Sequence, residues 1–243
     1  MKTVVFTVFG TKRCVKNIRM LVGYGVLLDS ALNEIKKIRL IPHNDIVLNH
    51  RQGLDLHDII LLSEHHYFTM AYYEKQVSNI PDSVKHAAGV KILAPMIQEV
   101  INDKVVWQWD GSNYPEFYAT GADVNNFTDT LHTQDYLHMN AMFLDPRDSN
   151  LILSMRKPMQ VVKISRTTGE VLWRLGGKNS DFKLTDEQDF IGQHNVSLLP
   201  DGTLLLLDNG DLTQRKSSRI VELKLDEKNR KIVSFSATLL STK

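Results

Sequence analysis

Short apolar runs alternate with turn-forming clusters along most of the chain, and the runs come in pairs. The clearest pairs lie between Asp135 and Gly210. MNAMFL and LILSM flank Asp145-Pro146-Arg147-Asp148-Ser149-Asn150, and NVSLL and TLLLLD flank Pro200-Asp201-Gly202. Pro presets φ and Gly tolerates positive φ, so both clusters are turns and both pairs are predicted β-hairpins. A histidine opens each one: His138 the first, His194 the second. Pairing Leu144 with Leu151 and counting back sets His138 opposite Lys157, with Arg156 as the diagonal neighbour within one residue of register. The same count about the second turn sets His194 beside Asn209. Directly opposed residues sit about 4.5–5.5 Å apart at Cβ, so each hairpin carries a His and a cation or amide at its open end.

Upstream, residues 4–9 suit a strand, while residues 14–20 read as basic and irregular. Residues 24–28, 29–33 and 34–38 read as strand, turn, strand, and residues 42–55 are polar and rich in turn formers. His57-Asp58 opens a third pair, IILL and YFTMAYY, around Ser63-Glu64-His65-His66; counting across it puts His57 opposite Tyr72 or Tyr73. Residues 77–86 form a loop. Residues 91–100 and 104–110 pair around Asn102-Asp103 and end in VVWQWD. A long polar connection follows at 111–134, and long connections in compact domains tend to be functional or disordered.

A repeat emerges. An inner hairpin opened by His is followed by an outer hairpin ending near an aromatic: His57 leads to Trp107, His138 to Trp173 and His194 to Phe235. Four-stranded units repeating at about 40–50 residues are the mark of a β-propeller. The expected fold is all-β: four-stranded antiparallel blades in one propeller-type domain over 1–243, with 1–20 irregular or a partial blade and 21–235 the blades. Residues 24–38 read as the outer half of an earlier blade. Only about three to four blades are visible where closure usually takes 4–8, so the expectation is an incomplete propeller. Its open edges invite pairing with another copy of the chain.

Composition narrows the function. The chain has 243 residues, 42% of them hydrophobic, and a formal net charge of +1, a globular composition of single-domain size with no bias toward nucleic acid or an anionic membrane. The one cysteine, Cys14, leaves no internal disulfide and no Cys-rich zinc site. No apolar run approaches the ~18 residues of a membrane span. The opening MKTVVFTVFGTKRC is too short and too polar in its apolar part for a signal peptide, and no A-x-A site follows. Composition therefore assigns no compartment.

Blades are related by rotation about one axis, so equivalent positions of the innermost hairpins face one channel. His57, His138 and His194 hold that position, and Arg156 arrives with His138. Three imidazoles and a guanidinium suit an anion with several oxygens, and an imidazole, largely neutral near pH 7, can also act as a nucleophile. A single His beside Asp at a strand start is more often structural; three at equivalent positions, one with Arg, favour chemistry. The tryptophans read as packing between blades. His57 and His65 find no third ligand at sensible spacing, so no metal is expected. Asp208-Asn209-Gly210-Asp211 lacks the later Glu of a calcium loop.

These residues resemble the bacterial arylsulfotransferases, which move sulfate between phenols without a nucleotide sulfate donor. The resemblance rests on Asp135-Tyr136-Leu137-His138-Met139-Asn140, Ser154-Met155-Arg156, Thr168-Gly169-Glu170-Val171-Leu172-Trp173-Arg174-Leu175-Gly176-Gly177, Gln193-His194, Leu207-Asp208-Asn209-Gly210 and Asp55-Leu56-His57-Asp58. The combination of His138, Arg156 and Gln193-His194 is fairly specific; the Thr-Gly-Glu-x-x-Trp element is shared with other propellers. The resemblance implies a six-bladed propeller with its site in the central channel, an aryl sulfate donor, a phenol acceptor and no cofactor. It implies His194 as the nucleophile that becomes a transient sulfohistidine, in ping-pong fashion. His57, His138 and Arg156 would hold the sulfuryl oxygens, with Asn140, Asn209 and Tyr72 orienting these groups or the substrate. Family members are usually longer and exported, and on that comparison the chain reads as a truncated member. Asn195 stands after Gln193-His194, where the family more often carries an acidic residue. A propeller used only for binding or as a scaffold, and a quinoprotein-type propeller with a bound chromophore and a metal, are the rival readings.

Overall fold

The structure is a computed structural model describing residues 4–8, 12–15, 18–44, 53–121, 125–211 and 215–240, with side chains from residue 23 onward. It is nearly all antiparallel β and forms two compact units, Met1–Pro115 with Asn126–Asp135, and Glu116–Asn125 with Tyr136–Lys243. Among the described residues no helix is long and apolar enough to cross a membrane.

The first unit holds β1 (Val4–Val8), β2 (Lys12–Val15), β3 (Ile18–Leu28), β4 (Glu34–Ile38), β5 (Leu54–Ser63), β6 (His66–Gln76), β7 (Lys91–Ile101) and β8 (Lys104–Asp110). They make one eight-stranded sheet whose main path runs β1-β3-β5-β6-β7-β8, with β2 and β4 also on β3. The residues expected to be irregular at 14–20 are therefore largely strand. The hairpin of β3 and β4 is joined to the strands after it: Val22 and Gly23 pair with Asp55 and Leu54 of β5. The β7–β8 turn falls where the sequence puts it. Asn102 and Asp103 both have positive φ, 49° and 61°, the backbone that matches strand twist in a two-residue hairpin. The core of this sheet gathers Ile38, Leu54, Tyr67, Ala71, Met96 and Val100. The polar connection after β8 is not structureless; it carries a 3-10 turn at Gly111–Asn113 and a short helix at Glu116–Gly121.

The second unit contains two four-stranded meanders. One runs β9 (Met139–Leu144), β10 (Leu151–Met155), β11 (Gln160–Ile164) and β12 (Val171–Leu175); the other runs β13 (His194–Leu198), β14 (Leu204–Asp208), β15 (Arg219–Asp226) and β16 (Lys231–Leu239). Alternating side chains from both sheets meet in one core: Ala141, Ile152, Val161 and Trp173 with Val196, Leu204, Leu206 and Val221. On β14 and β15 buried positions alternate with half-buried ones, so a one-residue slip would turn the core face outward, whereas β10 and β11 are buried along their whole length.

The turn end of the β9–β10 hairpin is fixed by charge. Lys163, only 2% exposed, lies 2.7 Å from Asp145 Oδ2, 2.7 Å from Asp148 Oδ2 and 3.0 Å from Glu227 Oε2. Arg147 grips the fully buried Asp145 through Nε at 2.8 Å and Nη2 at 2.6 Å. Burial pushes the Asp145 carboxyl up, but the hydrogen bonds from Arg147 and Lys163 more than offset it and hold it well below the usual carboxylate range. This network sits opposite the end that carries His138.

Candidate active site

Leu144 pairs with Leu151, as the turn chemistry predicts, and the ladder runs regularly to Ala141 and Ser154. There it breaks. The next pair is Met139 with Met155, so Asn140 is an extra residue on β9. The bulge brings Arg156 rather than Lys157 level with His138: the Arg156 N–H donates to His138 O at 3.0 Å and Lys157 N–H to Leu137 O at 3.1 Å. His138 itself takes φ +49°, a left-handed conformation that is uncommon outside glycine.

The other inner strands break at their histidines too. His194 pairs with Leu207, but the next pair is Ser197 with Leu205, leaving one extra residue on β13, and Asn195 takes φ +53°. On β5 the register jumps between Leu54–Ala71 and Ile59–Thr69, with His57 inside the jump. His57 lies among residues 55–58, which together span only Met70 on β6, so it pairs with neither Tyr72 nor Tyr73; the inserted residues displaced the count. Bulges are over-represented next to active sites because they re-aim a side chain.

Around His194 the geometry is specific. Its Nδ1 lies 2.9 Å from Gly192 O and 2.9 Å from the Asn209 amide. The Gly192 carbonyl can only accept, which suits an Nδ1–H donor, whereas the Asn209 Nδ2 amide facing the same nitrogen can only donate; with Nδ1 protonated, both contacts are satisfied once Asn209 turns its amide oxygen to the ring. Gly192 has φ +64°; a Cβ there would lie 3.3 Å from Gly210 O and 3.9 Å from Arg156 Nε and Nη2. The Arg156 guanidinium thus lies against the segment that presents His194. It is exposed, and among the described residues no carboxylate pairs with it.

The loop into β13 is anchored from below. Asp208, fully buried at the end of β14, accepts from Ile191 N–H at 2.9 Å, Gly210 N–H at 3.0 Å, Arg219 Nε at 2.8 Å and Arg215 Nη1. Arg219 and Arg215 also donate to Asp189 O, at 2.5 and 3.0 Å. Asn140, 3% exposed, donates from Nδ2 to Gln193 O at 2.8 Å. Asp208 and Gln193 carry these local contacts; both stood in the motifs quoted for the resemblance, but neither had a role of its own there.

His57 and Tyr72 belong to the first unit. The buried Asp55 accepts from His57 twice, at 2.6 Å with ring Nδ1 and at 3.0 Å from the backbone N–H. That hydrogen bond raises the His57 pKa against the opposing effect of burial, with Asp135 and Asp58 adding to the rise. Tyr72 is buried on β6 and pairs with Pro95 of β7.

No curated protein matches the chain. Among solved structures, that of a protein of unknown function from Bacteroides caccae aligns over 96% of this chain and 72% of its own, at 12% identity and a TM-score of 0.39, a likeness too distant to carry weight. The family model for Arylsulfotransferase (ASST) matches residues 43–236, a span that takes in all three bulged histidine strands. The chain belongs to the arylsulfotransferase family.

Proposed function

We propose that the chain is an aryl sulfotransferase that carries a sulfuryl group from an aryl sulfate to a phenol by way of a sulfohistidine on His194. The observation that carries this is the fixed imidazole. In the tautomer whose Nδ1–H donates to Gly192 O, Nε2 is the atom that would attack sulfur, and the Arg156 donors lie against the same segment. Nε2 attacks sulfur; the S–N bond forms, the S–O bond to the aryl group breaks, and the leaving phenoxide takes a proton from solvent. The acceptor phenol oxygen then attacks sulfur, the S–N bond breaks, Nε2 recovers its lone pair and the phenol proton leaves to solvent. Splitting one transfer into two gives ping-pong kinetics. Sulfuryl transfer is taken to resemble phosphoryl transfer, in which positioning and stabilisation of peripheral oxygens supply most of the acceleration. In this reading Arg156 and His138 hold those oxygens, and Asn140 and Asn209 orient these groups; His57 as a further oxygen ligand and Tyr72 as a substrate contact, both in the first unit, enter through the family resemblance alone. On the same reading the two four-stranded meanders, and strands β5 to β8 of the eight-stranded sheet, are blades of a propeller.

The direct test is intact mass after incubation with an aryl sulfate and no acceptor. One added sulfuryl group is expected, lost again when phenol is supplied. A chain that binds the ester without gaining mass would be a binding module instead.

The Asp55–His57 pair sets a pH dependence. Because Asp55 raises the His57 pKa, the imidazolium that would hold a sulfuryl oxygen persists to higher pH than a free imidazole. The rate should fall on the alkaline side as His57 loses its proton, and Asp55→Asn should move that fall to lower pH. A pH–rate profile with the same alkaline limb in both proteins would remove His57 from the mechanism.

A further inference from the structure

Gln193 is fully buried, and its polar contacts run to the two elements that carry the proposed chemistry. Its Nε2 donates to Met155 O and Gln160 O, both at 3.0 Å. Those residues pair with each other and flank the turn that starts at Arg156, closed by Met159 N–H donating to Arg156 O at 3.2 Å. Its carbonyl accepts from Asn140 Nδ2 at 2.8 Å and from Ser154 Oγ at 3.5 Å. The next residue is His194.

We propose that Gln193, supported by Asn140, is a positioning residue that fixes the Arg156 turn and His194 in one register. The inference rests on the sulfohistidine reading. Gln193 is too deeply buried to touch substrate, so it acts through its neighbours. Two features distinguish this brace from ordinary packing. Gln193 Oε1 and Asn140 Oδ1 are both buried without a partner among the described residues, a cost that an apolar side chain of the same length would avoid. Left-handed backbone also flanks the brace: Gly192 at +64° and Asn195 at +53° bracket the Gln193-His194 pair, and His138 takes +49°. Unfavourable backbone and unmet polar atoms persist where the surroundings over-determine a geometry. A misplacement of about 1 Å can cost on the order of a hundredfold in rate.

Gln193→Met keeps the length and removes both donors. In the full chain, with a nitrophenyl sulfate donor and phenol, kcat should fall at least about tenfold while KM stays within about twofold, the pattern of lost transition-state positioning. Lys163→Met, at the far end of the same hairpin, should lower the melting temperature comparably and leave kcat within about twofold. Nitrogen resonances of the His194 ring and the Arg156 guanidinium should both shift in Gln193→Met and in neither case in Lys163→Met. Unchanged kcat, or movement of only one of the two groups, overturns the brace. If the wild-type chain forms no sulfuryl adduct, the transfer reading fails and the resonances alone decide the brace. Should Gln193→Met not fold, Asn140→Ala is read by the same two resonances.

Discussion

His194→Ala should abolish transfer and the mass gain together. Alanine offers no lone pair, so no S–N bond can form, and neither chain neighbour replaces it: Asn195 is an amide and Gln193 is a buried amide. Arg156→Ala should leave the nucleophile in place and lower the rate by about a hundred- to a thousandfold, the usual cost of removing one preorganised donor to a developing oxyanion. The two variants thus separate: one has no adduct, the other accumulates it slowly. A donor–acceptor assay with both proteins checks this. Substantial turnover by His194→Ala would reject the assigned nucleophile and, with it, the ping-pong scheme.

Asp208→Ala should be the most damaging change outside the histidines. It removes one acceptor from four donors and leaves Arg219, 8% exposed at its side chain, without its buried counter-charge. Breaking a buried ion pair from one side costs about 3–5 kcal/mol, which for a chain of this size lowers the melting temperature on the order of 10 °C. Asp208→Asn should cost less, because Oδ1 can still accept from Ile191 and Gly210. The damage should extend to the site, since Ile191 leads directly into Gly192 and His194. Thermal unfolding by circular dichroism compares the three proteins; an Asp208→Ala midpoint equal to wild type would show that the anchor carries no weight.

The hairpins were legible because their turns were. Asp145 to Asn150, Pro200-Asp201-Gly202 and Asn102-Asp103 each force a reversal by local chemistry, and the Leu144–Leu151 pairing follows by counting. The bulges were not legible. They arise at Asn140 beside the left-handed His138, at Asn195, and in the segment around His57; Asn and His enter the left-handed region more readily than most residues, but only the tertiary fit selects which of them does. Hence Arg156 stands one place nearer to His138 than counting gives, and His57 misses the tyrosines. The contact of His194 with Asn209 survived its bulge because both lie at the open end, where side chains bridge the shifted register. The union of β3 with β5 could not be read either, because long-range pairing leaves no periodic trace in a single sequence.

Trp173 is the lone indole of its unit; the other two, Trp107 and Trp109, lie on β8. Its Nε1–H donates to Glu227 Oε2 at 2.8 Å, and its ring meets Phe182 edge-on at 5.8 Å. Emission excited in that ring therefore comes from a dry, polar-tipped environment that water would enter as soon as the two meanders part. With Trp107 and Trp109 replaced by Phe, that emission becomes an optical gauge of integrity for the half that bears His194, with no added label.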